Sequence, residues 1–148
     1  EVCVMLMMLG PLRFEVVPFS TGSYDHGHAA GFAEKPVLGA RPPLEFVGAG
    51  PETWTLKARL FPETFGGLSE LDMLYTLRAS GAPHYMMRGD GAVMGWVVIR
   101  TVTERSSHLG AGGVGRVIDV DIEVARSAPP SATTFFARLA RVFLPELT

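Results

Sequence analysis

The segment Arg116–Arg126, RVIDVDIEVAR, alternates without a break: Ile118, Val120, Ile122 and Val124 take one parity, and Asp119, Asp121 and Glu123 take the other. Successive side chains of a strand point to opposite faces, so a period of two sorts these residues into one dry face and one wet face. A chain that holds such a segment must build a sheet, and the apolar side of that sheet must find cover.

A second stretch, Arg41–Pro62 (RPPLEFVGAGPETWTLKARLFP), carries the same signal. Trp54, Leu56, Ala58 and Leu60 share one parity, and Thr53, Thr55, Lys57 and Arg59 share the other. A short apolar strand from Leu44 to Val47 precedes it, and Gly48-Ala49-Gly50-Pro51 between the two reads as a hairpin connection. Further strands are expected within Val4–Val17, interrupted by a turn at Gly10-Pro11, and at His84–Arg88. After the Arg88-Gly89-Asp90-Gly91 turn, Ala92–Glu104 predicts a long strand. Val93, Gly95, Val97 and Ile99 fall on one of its faces and Met94, Trp96, Val98 and Val102 on the other, which implies a central position or cover from another subunit.

Helical spacing occurs twice. In Leu68–Ser80, Leu71, Leu74, Tyr75 and Arg78 follow i, i+3, i+4, i+7, Ser69 and Asp72 suggest a capping box, and Gly81 and Pro83 stop the helix. Ser131–Leu144 predicts an amphipathic helix whose Phe135, Phe136 and Phe143 are expected to dock on a neighbouring subunit. Residues 18–43 are rich in Gly, Ser, Pro and His, and are expected to form an extended loop or arm that orders against a partner. Arg105–Gly115 reads as a Ser/Gly loop. These elements divide the chain into a β domain over residues 1–128 and a helical extension over 129–148.

The length of 148 residues suits a single domain with its own core, and 47% hydrophobic with 19% charged residues is a globular composition. A formal charge of −2 with no basic cluster argues against a dedicated nucleic-acid binder. The single cysteine, Cys3, cannot form an internal bridge. The apolar run Val2–Leu9 is too short to span a bilayer and lacks the flanks of a signal peptide, so no membrane association is expected.

Candidate chemistry is sparse. Asp25-His26-Gly27-His28 could offer two metal ligands through His26 and His28, with no third ligand close in sequence. Gly110–Gly115 resembles a nucleotide-binding glycine loop, but a strand rather than a helix follows it and no Lys-Ser/Thr pair is present. Asp119, Asp121 and Glu123 place three carboxylates along one strand face. No nucleophile elbow, Cys–His pairing or two-carboxylate constellation stands out, so neither an enzyme nor a cofactor is expected.

Taken together, MLMMLGPLRFEV, RPPLEFVGAGPETWTLKARLFPE, GGLSELDMLYTLRASGAP, GDGAVMGWVVIRTVTE and RVIDVDIEVAR resemble the GpU tail-protein family of contractile-tailed bacteriophages, over roughly Met5–Arg126. The most specific matches are Pro42–Gly50, Leu60-Phe61-Pro62-Glu63 and Gly91–Trp96; residues 18–43 and the segment from Ser131 onward depart from the family pattern. The resemblance implies a mainly β (α+β) fold, a tail-tube-like antiparallel β-barrel or sandwich with one flanking helix. It implies a structural virion protein of the phage tail, a ring-forming adaptor between baseplate hub and tail tube, assembled as a homohexamer in the host cytoplasm. Its partners would be the tail tube protein and baseplate hub proteins, with DNA passing through the bore unbound. In that setting Asp119, Asp121 and Glu123 are candidate bore-facing residues that would repel DNA, and Lys57, Arg59, Trp96, Phe135, Phe136 and Phe143 are candidate inter-subunit contacts. Two alternatives remain: a head-proximal tail terminator, or a small metal- or ligand-binding β-barrel domain using His26 and His28.

Overall fold

A computed structural model describes residues 5–15 and 19–131. Its elements are β1 (Met5–Leu9), β2 (Leu12–Glu15), β3 (Phe19–Glu34), β4 (Leu44–Leu60), a single helical turn α1 (Pro62–Phe65), α2 (Leu68–Ser80), β5 (His84–Arg88), β6 (Val93–Leu109) and β7 (Gly115–Arg126). The strands form one 7-stranded sheet in the order β2-β1-β5-β6-β7-β4-β3, and each neighbouring pair is antiparallel. β1 and β3 stand near opposite ends of that order, yet Leu6, Met7, Thr21, Tyr24 and Arg88 line one depression. Arg88 of β5 donates from Nη1 to the Tyr24 hydroxyl of β3 over 3.1 Å. The sheet therefore curls until its ends approach, giving a half-barrel, and among the described residues no backbone ladder joins β2 to β3.

The alternation of β7 appears as read: Ile118, Val120, Ile122 and Val124 are all buried. Register sets Trp54, Ala58 and Leu60 of β4 directly across from Val124, Val120 and Ile118, so the two alternating segments make one apolar surface. Met7, Leu9, Leu12, Phe14, Met86, Val97 and Ile99 extend it across the sheet, and Leu71 and Leu74 of α2 join the same cluster. Among the described residues no polar or charged side chain is buried as a whole. Hydrophobic transfer thus supplies the driving force on this face, at roughly 25 cal/mol per Å² of apolar surface.

Helix α2 spans the residues expected of it, and Gly81 ends it in the left-handed region (φ 61) with its N–H on the Arg78 carbonyl at 3.2 Å. The start differs. Gly67 stands at the N-cap with φ 107, no side chain caps the first turn, and the Ser69 hydroxyl donates to Glu70 rather than to the backbone. The expected capping box is absent because the chain enters from a Gly66-Gly67 corner that only glycine conformations can make.

The larger correction concerns Arg41–Pro62. The expected hairpin across Gly48–Pro51 does not form; β4 runs unbroken through those residues and pairs along its length with β3. Gly50 and Pro51 serve a bulge instead. His28 pairs with Glu52 and Ala30 with Ala49, leaving two residues of β4 opposite Ala29 alone. A Cβ on Gly50 would lie 2.7 Å from the Ala29 carbonyl oxygen, so the close backbone approach requires glycine. Pairing of β4 with β7 begins at Thr53, so Pro51 stands where β4 has one neighbour and its missing N–H removes nothing from the second ladder.

Residues 18–43 accordingly hold a strand, not a loop: β3 fills residues 19–34, and the Lys35 N–H meets the Pro43 carbonyl at 3.3 Å to close the connection. β3 is an end strand whose outer part faces no core, so small and polar residues suffice and the apolar alternation that marks a strand is lost. The Arg105–Gly115 loop also shrinks, because β6 continues to Leu109 and only the tip remains, closed by the Gly110 N–H on the Val114 carbonyl at 2.9 Å. A bulge between Ile99 and Thr101 shifts the parity of β6, so Val102 pairs with Ile122 on the core side rather than sharing a face with Trp96. The helix expected over Ser131–Leu144, with Phe135, Phe136 and Phe143, falls outside the described residues apart from Ser131.

Candidate functional site

Three surfaces carry features that packing alone does not require. On the face opposite the core, register aligns Lys57 with Asp121 and Arg59 with Asp119, and it sets Arg105 beside Asp119 from the other side. Arg59 Nε donates to Asp119 Oδ1 at 2.6 Å, Arg105 Nη1 to Asp121 Oδ2 at 2.6 Å and Arg100 Nη1 to Glu123 Oε1 at 3.3 Å. Lys57 Nζ lies 2.7 Å from Asp25 Oδ2. The hydrogen bond that Lys57 donates to Asp25 holds its pKa above the ordinary value, and the bond that Arg59 donates to Asp119 does the same for Arg59. The three carboxylates singled out in the sequence are thus members of a charge lattice in which each has its own cation. Ser20, Ser23, Lys57, Arg59, Arg105 and Asp121 line a depression of 430 Å³ on this face.

The second surface lies where β3 and β4 leave the barrel. His26 stacks on Trp54 with ring centroids 4.6 Å apart and planes 16° from parallel, and the Arg126 guanidinium lies over the Trp54 ring 5.6 Å from its centroid. Glu52 joins both: it accepts from Arg126 Nε and, at 3.3 Å, from Nη2, and its Oε1 lies 2.9 Å from His26 Nε2. His28 Nδ1 approaches the same oxygen at 3.6 Å. The Arg126 hydrogen bond holds the Glu52 carboxyl below its ordinary pKa, against the opposing effect of partial burial. Trp54 is buried while this polar group stands at its rim, so the cluster closes one end of the core.

The third surface is the outer β3–β4 arm. Phe32 (53% exposed), Leu44 (61%), Phe46 (64%) and Val47 (70%) project from it, and Phe32 meets Phe46 edge-on at 5.6 Å. These apolar side chains on the end strand pair form an exposed patch with no core behind them. Trp96, by contrast, is half-buried and packs edge-on against Tyr85 at 5.5 Å, part of β5–β6 pairing.

Structure thus brings Asp119, Asp121 and Glu123 together with Lys57 and Arg59 on one face, packs Trp96 against Tyr85 rather than into that charge lattice, and leaves Phe135, Phe136 and Phe143 outside the described residues. Sequence reading missed Arg100, Arg105, Glu52 and Arg126. The first two lie beyond or beside a bulge that shifts their parity. Glu52 becomes visible only once β3 is a strand, because register then sets it across from His28.

Comparison with known proteins adds the family. No sequence among curated proteins matches the chain. Its fold is similar to the Dit protein (gp 19.1) of phage SPP1, described as a paradigm of the hub adsorption apparatus in phages infecting Gram-positive bacteria, with TM-score 0.63 and 11% identity. That match covers 85% of this chain and 51% of the Dit chain, so the present chain spans about half of its length. A chain from the tail of an empty GTA particle, refined with C6 symmetry, is similar with TM-score 0.50 and 10% identity, covering 84% of this chain and 92% of that one. At these identities the likeness concerns the half-barrel fold. The profile of the Phage P2 GpU family matches residues 10–128, and the chain with its half-barrel and projecting arm belongs to that family of phage tail proteins.

Proposed function

We propose that this protein is a ring-forming structural subunit of a contractile phage tail, an adaptor that joins the baseplate hub to the tail tube. The observation that carries this reading is the β3–β4 arm, which exposes Phe32, Leu44, Phe46 and Val47 beyond Trp54, where the buried part of β4 begins. A half-barrel with open end strands and such an arm completes its hydrogen bonding and its apolar cover by meeting copies of itself. Membership of the GpU family and the likeness to a hub protein and to a C6 tail chain support the same reading.

In a closed ring of six, the face bearing Asp119, Asp121 and Glu123 would line the bore. Because Arg59, Arg105 and Arg100 neutralise those carboxylates, the bore would offer passing DNA a hydrated and locally balanced surface rather than a simple repulsive stripe. Lys57 and Arg59 share this surface and would take part in it, leaving subunit contact to the arm and the sheet ends. The test is mass in solution, alone and with tail tube or hub protein, followed by electron microscopy of the assemblies. Sixfold rings, alone or with a partner, are expected; a monomer under every condition sinks the proposal. Gold labelling of intact particles then separates a baseplate-proximal adaptor from a head-proximal terminator.

A further inference from the structure

We propose that His26, His28 and Glu52 form a binding site for a divalent transition-metal ion of the zinc, nickel and copper class, at the root of the β3–β4 arm. His26 and His28 stand two residues apart on one strand and so project from one face, with ring centroids 3.9 Å apart. Glu52 lies directly across the pair from His28. His26 Nε2 and His28 Nδ1 converge on the same carboxylate oxygen, at 2.9 and 3.6 Å, and the ligand atoms of all three residues lie within 4.8 Å of one another. Tetrahedral ligand bonds of about 2.0–2.2 Å set ligand atoms roughly 3.3–3.6 Å apart, so the His26–Glu52 contact must open a little and the wider separations close. The exposed His28 side chain and the rotatable Glu52 side chain can supply that adjustment.

Two imidazoles and a carboxylate match the preferences of borderline ions, and the solvent side of the cluster leaves room for water to complete a tetrahedron. The surroundings resemble those of a built site. The Trp54 ring beneath His26 fixes the imidazole plane, and Arg126 Nε holds the Glu52 oxygen that does not face the histidines. An ion here would tie β3 to β4 beside the Gly50-Pro51 bulge, where the ladder is interrupted, and so set the direction in which the arm leaves the barrel. The inference is independent of the tail reading, since it concerns a single chain.

Zinc chloride titrated calorimetrically into the full chain, in a Cys3→Ser background that removes the single thiol, provides the test, with nickel and copper salts run in parallel. One zinc per chain is expected, accompanied by a change in tryptophan fluorescence through the His26–Trp54 stack. His28→Ala changes an exposed side chain and keeps the fold, and it should weaken binding by at least about tenfold, as should Glu52→Gln, while His108→Ala should leave it unchanged. Equal affinity and stoichiometry in His28→Ala and the parent protein would overturn the proposal, as would the absence of saturable binding for all three metals.

Discussion

Tyr75 shows how one side chain joins helix to sheet. From α2 it packs against the core, and its hydroxyl donates to Glu104 Oε2 of β6 at 2.7 Å. Burial first, and the carboxylate second, push its pKa from the ordinary 10.0 up to about 12. A folded pKa above the unfolded one means that the phenol's contribution is complete below pH 10 and is lost as pH rises through about 12. In Tyr75→Phe that contribution is missing at every pH. The difference in thermal midpoint between the two proteins should therefore be constant up to pH 10 and shrink toward pH 12, and alkaline titration of the variant should lack a late phenolate transition. Trp54 makes a second case, since it is 1% exposed and lies in the main core cluster. Trp54→Ala should cost about 3–5 kcal/mol in denaturant unfolding, a cavity penalty added to lost transfer energy. Its role at the arm root was not legible from sequence, because His26, Glu52 and Arg126 reach it from three strands whose register no local pattern encodes.

At the scale of elements, what could be read from sequence was whatever faces the core. β7, the second half of β4 and α2 all bury one face, so their apolar residues recur at the period of the backbone, and the reading found them nearly to the residue. β3 and the first half of β4 bury little, and there the periodic signal disappears. Gly48–Pro51 then looked like a turn, since bulges and turns draw on the same conformations and only pairing distinguishes them. The β5–β6 turn was identifiable from Asp90-Gly91, and structure adds its anchoring. Asp90 accepts from Arg88 and from the Ala92 N–H, which lowers its carboxyl to about 2. Gly89 donates to the Leu6 carbonyl at 3.0 Å, and a Cβ placed on it would fall 2.0 Å from the Met5 carbonyl oxygen. Since that obstacle is backbone, Gly89→Ala must push β1 away from the turn. A loss of about 1–3 kcal/mol is expected, with early amide exchange in β1 as the local sign.

At the scale of the molecule, the half-barrel and the arm separate into a part that folds and a part that reaches. The buried residues of β4 begin only at Trp54, the described residues of β3 add none, and nothing between residues 31 and 48 enters the core cluster. Ordering that hairpin carries a cost in backbone entropy, with its own ladder, the Phe32–Phe46 contact and an exposed Lys35–Glu45 ion pair in return. On the proposed reading, an element held this loosely by its own chain meets a surface elsewhere. Excision of residues 31–48, with an Asn-Gly turn joining the paired residues Ala30 and Ala49, tests this directly. The shortened protein keeps the His26–Trp54–Arg126 closure and every core residue, so its thermal midpoint should stay within a few degrees of the parent, as expected for changes of about 1 kcal/mol or less. Its assembly should fail: a monomer by mass, alone and with tube protein, under conditions in which the parent forms rings. If the excised protein still forms rings, contact must run through the sheet ends alone; if it does not fold, the arm belongs to the domain rather than to its neighbours.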